Sequence, residues 1–154
     1  METLILKQQQ LDQAADFIRQ GELVAFPTET VYGLGADATN ETAVKKVYAA
    51  KGRPSDNPLI VHVASVATVE HYAAEVSDRF KQLVDAFWPG SLTIILPLKH
   101  AALDSVVTGG LKTAAFRMPN NAVTLDLIKA AGVPLVGPSA NTSGDRKSTR
   151  LNSS

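Results

Sequence analysis

The chain has 154 residues, 45% hydrophobic and 19% charged, which suits one soluble domain with a substantial core and argues against disorder. Fifteen cations balance fifteen acids, so no global field marks a general nucleic-acid or membrane binder, and any basic site must be local. Cysteine is absent, which excludes disulfides, thiolate metal sites and a cysteine nucleophile. His62, His71 and His100 are scattered without metal-ligand spacing. The apolar run in METLILKQQQ is too short for a signal segment or membrane span, so no membrane partner is expected and the cytoplasm is the default location.

In chain order, Leu11, Ala14, Ala15 and Ile18 mark one face of a helix over 11–20, which Gly21 can end. Leu23–Phe26 reads as a buried strand stopped by Pro27. A polar cluster (Thr28, Glu29, Thr30), Tyr32 and two close glycines follow, and a helix then starts near Thr39 or Asn40 with Val44, Val47 and Tyr48 inward. Gly52 closes it, leaving Lys51 and Arg53 on either side of the exit. Leu59–Val63 is a β-branched strand, and Ser65 caps a weak helix. Ser77 caps a stronger helix with Phe80, Leu83, Val84 and Phe87 at i, i+3, i+4 and i+7, stopped by Trp88-Pro89-Gly90. Leu92–Leu96 reads as a second buried strand, and 99–111 as a loop with a Gly109-Gly110 turn. Thr113–Met118 is a strand, Ala122–Ala131 a helix ended by Gly132, and Leu135–Val136 a short strand before Gly137-Pro138-Ser139-Ala140-Asn141. Strands alternating with helices imply an α/β fold: a mainly parallel or mixed sheet flanked by helices, with no internal repeat.

Several of these residues can carry chemistry. Lys51 and Arg53 are two apart, so in an extended segment they project together onto one anion, an arginine fork beside a mobile ammonium. Their alternative is a helix C-terminus, which favours cations without any ligand. Pro54 and Asn57-Pro58 stiffen the loop that follows. Ser139 and Asn141 repeat the two-residue spacing after a short strand, as a ligand-binding strand end or as an ordinary turn. Arg117, ending an apolar strand, requires an acidic partner or an anionic ligand. Thr28, Thr30 and Tyr32 offer hydroxyls to a polar substrate or simply to turn chemistry. Thr93, within an apolar run, reads as a satisfied core hydroxyl. The sequence lacks a G-x-x-x-x-G-K-[ST] phosphate loop, and the relaxed dinucleotide fingerprint at Gly33–Ala38 stands too far from Phe26 to lie at a strand end.

Five segments in order, PTETVYGLG, KGRPSDNPL, WPGSLTIIL, TAAFRMP and PSANTSG, resemble the YrdC/Sua5 family of L-threonylcarbamoyladenylate synthases over about 21–144. The resemblance implies a YrdC-like twisted mixed sheet flanked by helices, with an open cavity on one face. It implies condensation of L-threonine, bicarbonate or CO2, and ATP into threonylcarbamoyl-AMP and pyrophosphate, which feeds t6A formation in tRNA. ATP is thus a substrate, accompanied by Mg2+, and tRNA or proteins of the t6A machinery are possible partners. The family's Lys-x-Arg and Ser-x-Asn tetrad falls on Lys51, Arg53, Ser139 and Asn141. By the same likeness, Thr30 and Tyr32 line the threonine and carbamate side, Lys51, Arg53 and Asn57 meet phosphates or carboxylate, Thr113, Ser139 and Asn141 surround the nucleotide, and Arg117 faces threonine or the adenylate.

Two other readings stand beside it. A carbamoyl-transfer module of the hydrogenase-maturation type shares a similar domain, but such proteins flank it with cysteine-rich zinc sites. A double-stranded RNA or tRNA-binding module would rely on a local basic cluster, against a net charge of zero. The last ten residues, DRKSTRLNSS, break the pattern of the chain. They match the translation of a sequencing-library adapter (GAT CGG AAG AGC ACA CGT CTG AAC TCC AGT) residue for residue, so 145–154 is expected to be a non-native tail. Residues 1–144 are then expected to be a YrdC-like domain incomplete at its C-terminus, weakly active or inactive as it stands.

Overall fold

The computed structural model describes residues 8–27, 32–52 and 58–137. Thr28, Thr30, Arg53, Asn57, Ser139, Asn141 and the 145–154 tail lie outside them. The elements run α1 (Gln8–Arg19), β1 (Val24–Pro27), β2 (Tyr32–Asp37), α2 (Glu41–Lys51), β3 (Ile60–His62), α3 (Val66–Tyr72), α4 (Asp78–Phe87), β4 (Ile94–Pro97), α5 (Ser105–Thr108), β5 (Thr113–Arg117), α6 (Ala122–Ala131) and β6 (Leu135–Val136).

Capping chemistry sets the helix limits, at Asn40, Ser65, Ser77, Gly52 and Gly132 where the sequence foretold them, and at Asn121 where it did not. The side chains of Asn40, Ser65, Ser77 and Asn121 accept from the backbone N–H groups of Ala43, Thr68, Phe80 and Thr124, satisfying donors that the helices cannot satisfy internally. Gly52 and Gly132 end α2 and α6 in the left-handed conformation, which strains the backbone of any residue with a side chain.

The six strands form one sheet in the order β1-β2-β6-β3-β5-β4. Among the described residues only β3 and β5 pair in parallel and the other four pairings are antiparallel, so the sheet is mixed rather than mainly parallel. The register sorts side chains onto two faces. Val61, Phe116, Ile94, Ala36 and Val136 share one face and build the larger core with Val44 and Val47 of α2, Val69 of α3, Phe80 and Val84 of α4, and Val106 and Val107 of α5. The opposite face carries Phe26, Leu135 and a second core against Ala15 and Ile18 of α1 and Leu127, Ile128 and Ala131 of α6.

Four expectations are corrected. Tyr32–Asp37, read only as a polar and glycine-rich connection, is a strand whose pairing with β1 runs from Val24 opposite Gly35 to Pro27 opposite Tyr32. The second strand is not buried throughout: β4 is an edge strand, so Ile95 faces out at 67% exposure while Ile94 and Leu96 face the core. Within the expected 99–111 loop lies α5, capped by the Asp104 carboxylate and closed by Gly109. Phe87, expected inward, is exposed, because α4 buries only Phe80 and Val84 deeply. The dinucleotide fingerprint is a decoy, as its spacing foretold. Gly33–Asp37 is extended strand rather than a turn into a helix.

Candidate functional site

The strand directions bring several described element ends to one rim of the sheet. β1 reaches it at Pro27 and β2 leaves it at Tyr32, so Thr30 belongs to the connection between them. β6 runs antiparallel to both β2 and β3, so its exit, Gly137, lies at the rim where β2 and β3 begin. Because β5 runs parallel to β3, Thr113 stands at this rim as well, opposite Pro97 of β4. α2 starts from the far end of β2 and packs beneath it, and its eleven residues rise about 16 Å, nearly a strand's length, which returns Lys51 to the same side. Four described element ends therefore face this side: the end of β1 with the start of β2, the end of α2 at Lys51, the start of β5 at Thr113, and the exit of β6 at Gly137.

Of the predicted residues, Tyr32 and Lys51 are placed here by their backbones, and Thr113 with its half-buried side chain. Arg117 is not at the rim. It shares the face of Thr113 but stands four residues along β5, about 13 Å away, paired in register with His62. Its Nε donates to the Gly90 carbonyl at 2.8 Å, and Gly90 N–H donates to the Met118 carbonyl at 2.8 Å, which binds the turn after α4 to the end of β5. Thr93 is half-buried just before β4, outside the strand proper.

Beside the covered part of this face, the β3-β5-β4 portion stays open. Ile60, Ala115, Thr113 and Arg117 are half-buried and Ile95 is exposed, so the strip combines apolar floor with a hydroxyl and a cation. The sheet is thus open on this face, as expected from the sequence. Among the described residues no group of His, Asp or Glu could hold a metal, and no helix is long and apolar enough to cross a membrane.

Behind the rim lies a cluster not anticipated from the sequence. The buried Phe26 ring fills space that only glycines leave free. A Cβ on Gly33, Gly35 or Gly137 would come within 2.7, 2.8 and 2.5 Å of ring atoms. His62, 2% exposed, meets the same ring edge-on at 5.5 Å between centroids, and its Nε2 lies 3.2 Å from the Gly137 carbonyl oxygen. The available signal was a lone histidine within the apolar LIVHV strand and three glycines in segments otherwise read for ligand chemistry.

The fold is an open mixed α/β sheet that presents strand ends and their connections along one rim. Residues 16–153 match the family model described as "Sua5_yciO_yrdC: Telomere recombination", and the chain belongs to that family. It is 54% identical over 141 residues to a threonylcarbamoyl-AMP synthase of Bacillus subtilis, covering 92% of this chain and 41% of that protein. A protein of the same name from Vibrio vulnificus is 38% identical, over 87% of this chain and 73% of its own length. Among solved structures, Pyrococcus abyssi Sua5 complexed with L-threonine superposes with a TM-score of 0.86 at 51% identity, over 90% of this chain and 40% of that one. The chain thus spans about two-fifths of the length of the first curated relatives it matches, 41% and 38%.

Proposed function

We propose that the chain carries the catalytic domain of an L-threonylcarbamoyladenylate synthase, acting in the cytoplasm on L-threonine, bicarbonate or CO2, and ATP to supply the t6A modification of tRNA. The observation that supports this reading is that the ends of β1, α2 and β6 and the start of β5 face one rim, in a chain half identical to relatives of that name.

The chemistry suits such a rim. The threonine amine, once deprotonated, attacks CO2 to form a carbamate and releases a proton. A carbamate oxygen then attacks the α-phosphorus of ATP, and the bond to the bridging oxygen breaks as pyrophosphate leaves with its electron pair. Nucleophile and electrophile are both anionic, so positioning and charge compensation matter more than a protein nucleophile. Lys51 and Arg53 are assigned to the phosphates or carboxylate, with Asn57 beside them. Thr30 and Tyr32 are assigned to threonine and carbamate, and Thr113, Ser139 and Asn141 to the nucleotide. Arg117, 13 Å or so along the strand from Thr113, fits the far end of a ligand stretched along the open strip better than the rim itself. Mg2+ is assigned to the triphosphate, which it accompanies as counter-ion.

The test is pyrophosphate release from ATP by this chain, and by the chain extended to the length of its relatives, with and without L-threonine and bicarbonate. Release that requires both is expected, with Lys51→Ala and Arg53→Ala each slower by about 10²-fold. Release indifferent to threonine would overturn the reading. Salt-sensitive tRNA binding without turnover would replace it with an RNA-binding module.

A further inference from the structure

We propose that the groove between α3 and α6 is a further ligand site, taking a small organic acid whose carboxylate or phosphate head meets His71 and Lys129 and whose compact apolar body covers the groove lining. The proposal goes beyond the threonine and ATP reading and does not depend on it. The groove encloses about 500 Å³, within the roughly 300–1,000 Å³ of small-molecule sites. It lies at the end of the sheet away from the rim. Ala64 and Ser65 follow β3, which starts at the rim, and Gly132, Val133 and Pro134 precede β6, which ends there.

Two helices supply the polar groups. On α3, the His71 and Tyr72 rings meet edge-on at 4.8 Å between centroids. The Tyr72 carbonyl accepts from Lys99 N–H at 2.9 Å, which ties the end of α3 to the segment after β4. At the head of the same helix, Ser65 Oγ and Thr68 Oγ1 lie 3.0 Å apart. α6 supplies Lys129, and Ile128, Val133 and Pro134 give the groove its apolar part. A helix C-terminus favours a basic side chain without any ligand, and His71 and Lys129 each stand in such a last turn. That accounts for each alone. It does not account for an ammonium and an imidazole from different helices lining one cavity, with no Asp or Glu among its described lining. Among the described residues neither side chain has an ion-pair or hydrogen-bond partner. Asp37, whose charge reaches Tyr72, is already engaged: Thr39 donates to it through N–H at 2.8 Å and through Oγ1 at 2.6 Å. An anionic head satisfies Lys129 and an imidazole N–H together, and an apolar body releases water from the rest of the lining.

Benzoate and phenyl phosphate are the probes, titrated into the full chain and followed by the backbone amide signals. Saturable shifts are expected at Thr68, His71, Lys129 and Gly132, with a Kd of about 1–10 mM for ligands this small. Binding of either probe supports the site, and the tighter of the two names its head as carboxylate or phosphate. Benzamide, which has the body without the charge, and inorganic phosphate, which has the head without the body, should each bind about fivefold more weakly or worse. Lys129→Met keeps the stem and removes the charge. Combined with His71→Gln it should weaken both probes about tenfold and leave benzamide unchanged. Both residues are exposed, so the double variant should melt as wild type does. Should it melt lower, Lys129→Met alone decides, with a loss of about threefold expected. Shifts that do not saturate, or that are confined to the rim around Thr113, would overturn the proposal. So would equal binding of benzamide or inorganic phosphate, or unchanged probe affinity in the variants.

Discussion

Replacing Gly35 by alanine tests the packing behind the rim most directly. The new Cβ would stand 2.8 Å from Cδ1 and 2.9 Å from Cε1 of Phe26, and 3.1 Å from the Val24 carbonyl oxygen. The carbonyl belongs to the paired strand and cannot retreat, so the ring must. The ring has no free side to move into, since Gly33 and Gly137 lie against it as closely and His62 meets its edge. Overpacking a filled core costs about 1–3 kcal/mol, and the lack of slack places this site at about 2–3 kcal/mol. For a chain of this size that lowers the melting temperature by about 4–12 °C. Phe26→Leu, which empties part of the ring space, should cost about 1–2 kcal/mol alone. Combined with Gly35→Ala it should cost less than the two separately, by about 1 kcal/mol or more. Urea unfolding with an unchanged slope is the assay. Gly132→Ala is the control. Its φ of 76° imposes strain of about 1–2 kcal/mol, yet among the described residues nothing lies within 4 Å of its Cβ position, so Phe26→Leu should not relieve it. Strict additivity of Gly35→Ala with Phe26→Leu would refute the cradle.

Two further outcomes are expected. Tyr48→Phe removes the hydroxyl that donates to the Val106 carbonyl at 2.7 Å between α2 and α5, leaving that buried acceptor unmet. Stability should fall by about 1–2 kcal/mol in urea titration, and an unchanged midpoint would show that water replaces the bond. Burial, and then the Asp37 carboxylate, raises the Tyr72 phenol above its ordinary 10.0. The folded state therefore keeps this proton where the unfolded state loses it. The stabilisation is complete below pH about 10 and is lost as pH climbs through the folded value, so Tyr72→Phe should flatten the alkaline decline in melting temperature. An unaltered decline would mean that other groups set it.

The sequence was most legible where backbone chemistry is local. Asn40, Ser65 and Ser77 cap because a short polar side chain reaches N–H groups only three residues ahead, and that relation needs no tertiary context. The same signals bracket α5, Asp104 before it and Gly109 after it, but four residues make too little periodicity to outweigh the surrounding loop composition. β2 was missed for a different reason. Its glycines look like a turn, whereas they serve a neighbouring strand's aromatic ring, and that demand appears only when Phe26 is placed opposite Gly33. Ile95 and Phe87 look buried by pattern alone. An edge strand and a helix with one shallow side leave them outside. At the rim, residue types point to cations and hydroxyls, and only family likeness groups them. Strand direction, invisible in composition, is what puts Thr113 at the rim and Arg117 a strand's length from it.

The place of β6 governs how the molecule can be made. Residues 135–136, among the last of the described chain, lie in the middle of the sheet and pair with β2 on one side and β3 on the other. During synthesis the β1–β2 hairpin and the β3-β5-β4 group are each complete before Leu135 emerges, but as two pieces with facing raw edges. Such edges invite pairing with other chains, so a ribosome stalled a few residues early would release two sticky half-sheets rather than one slightly shortened domain. Of the six described strands, the one that joins the two halves is the last to be made.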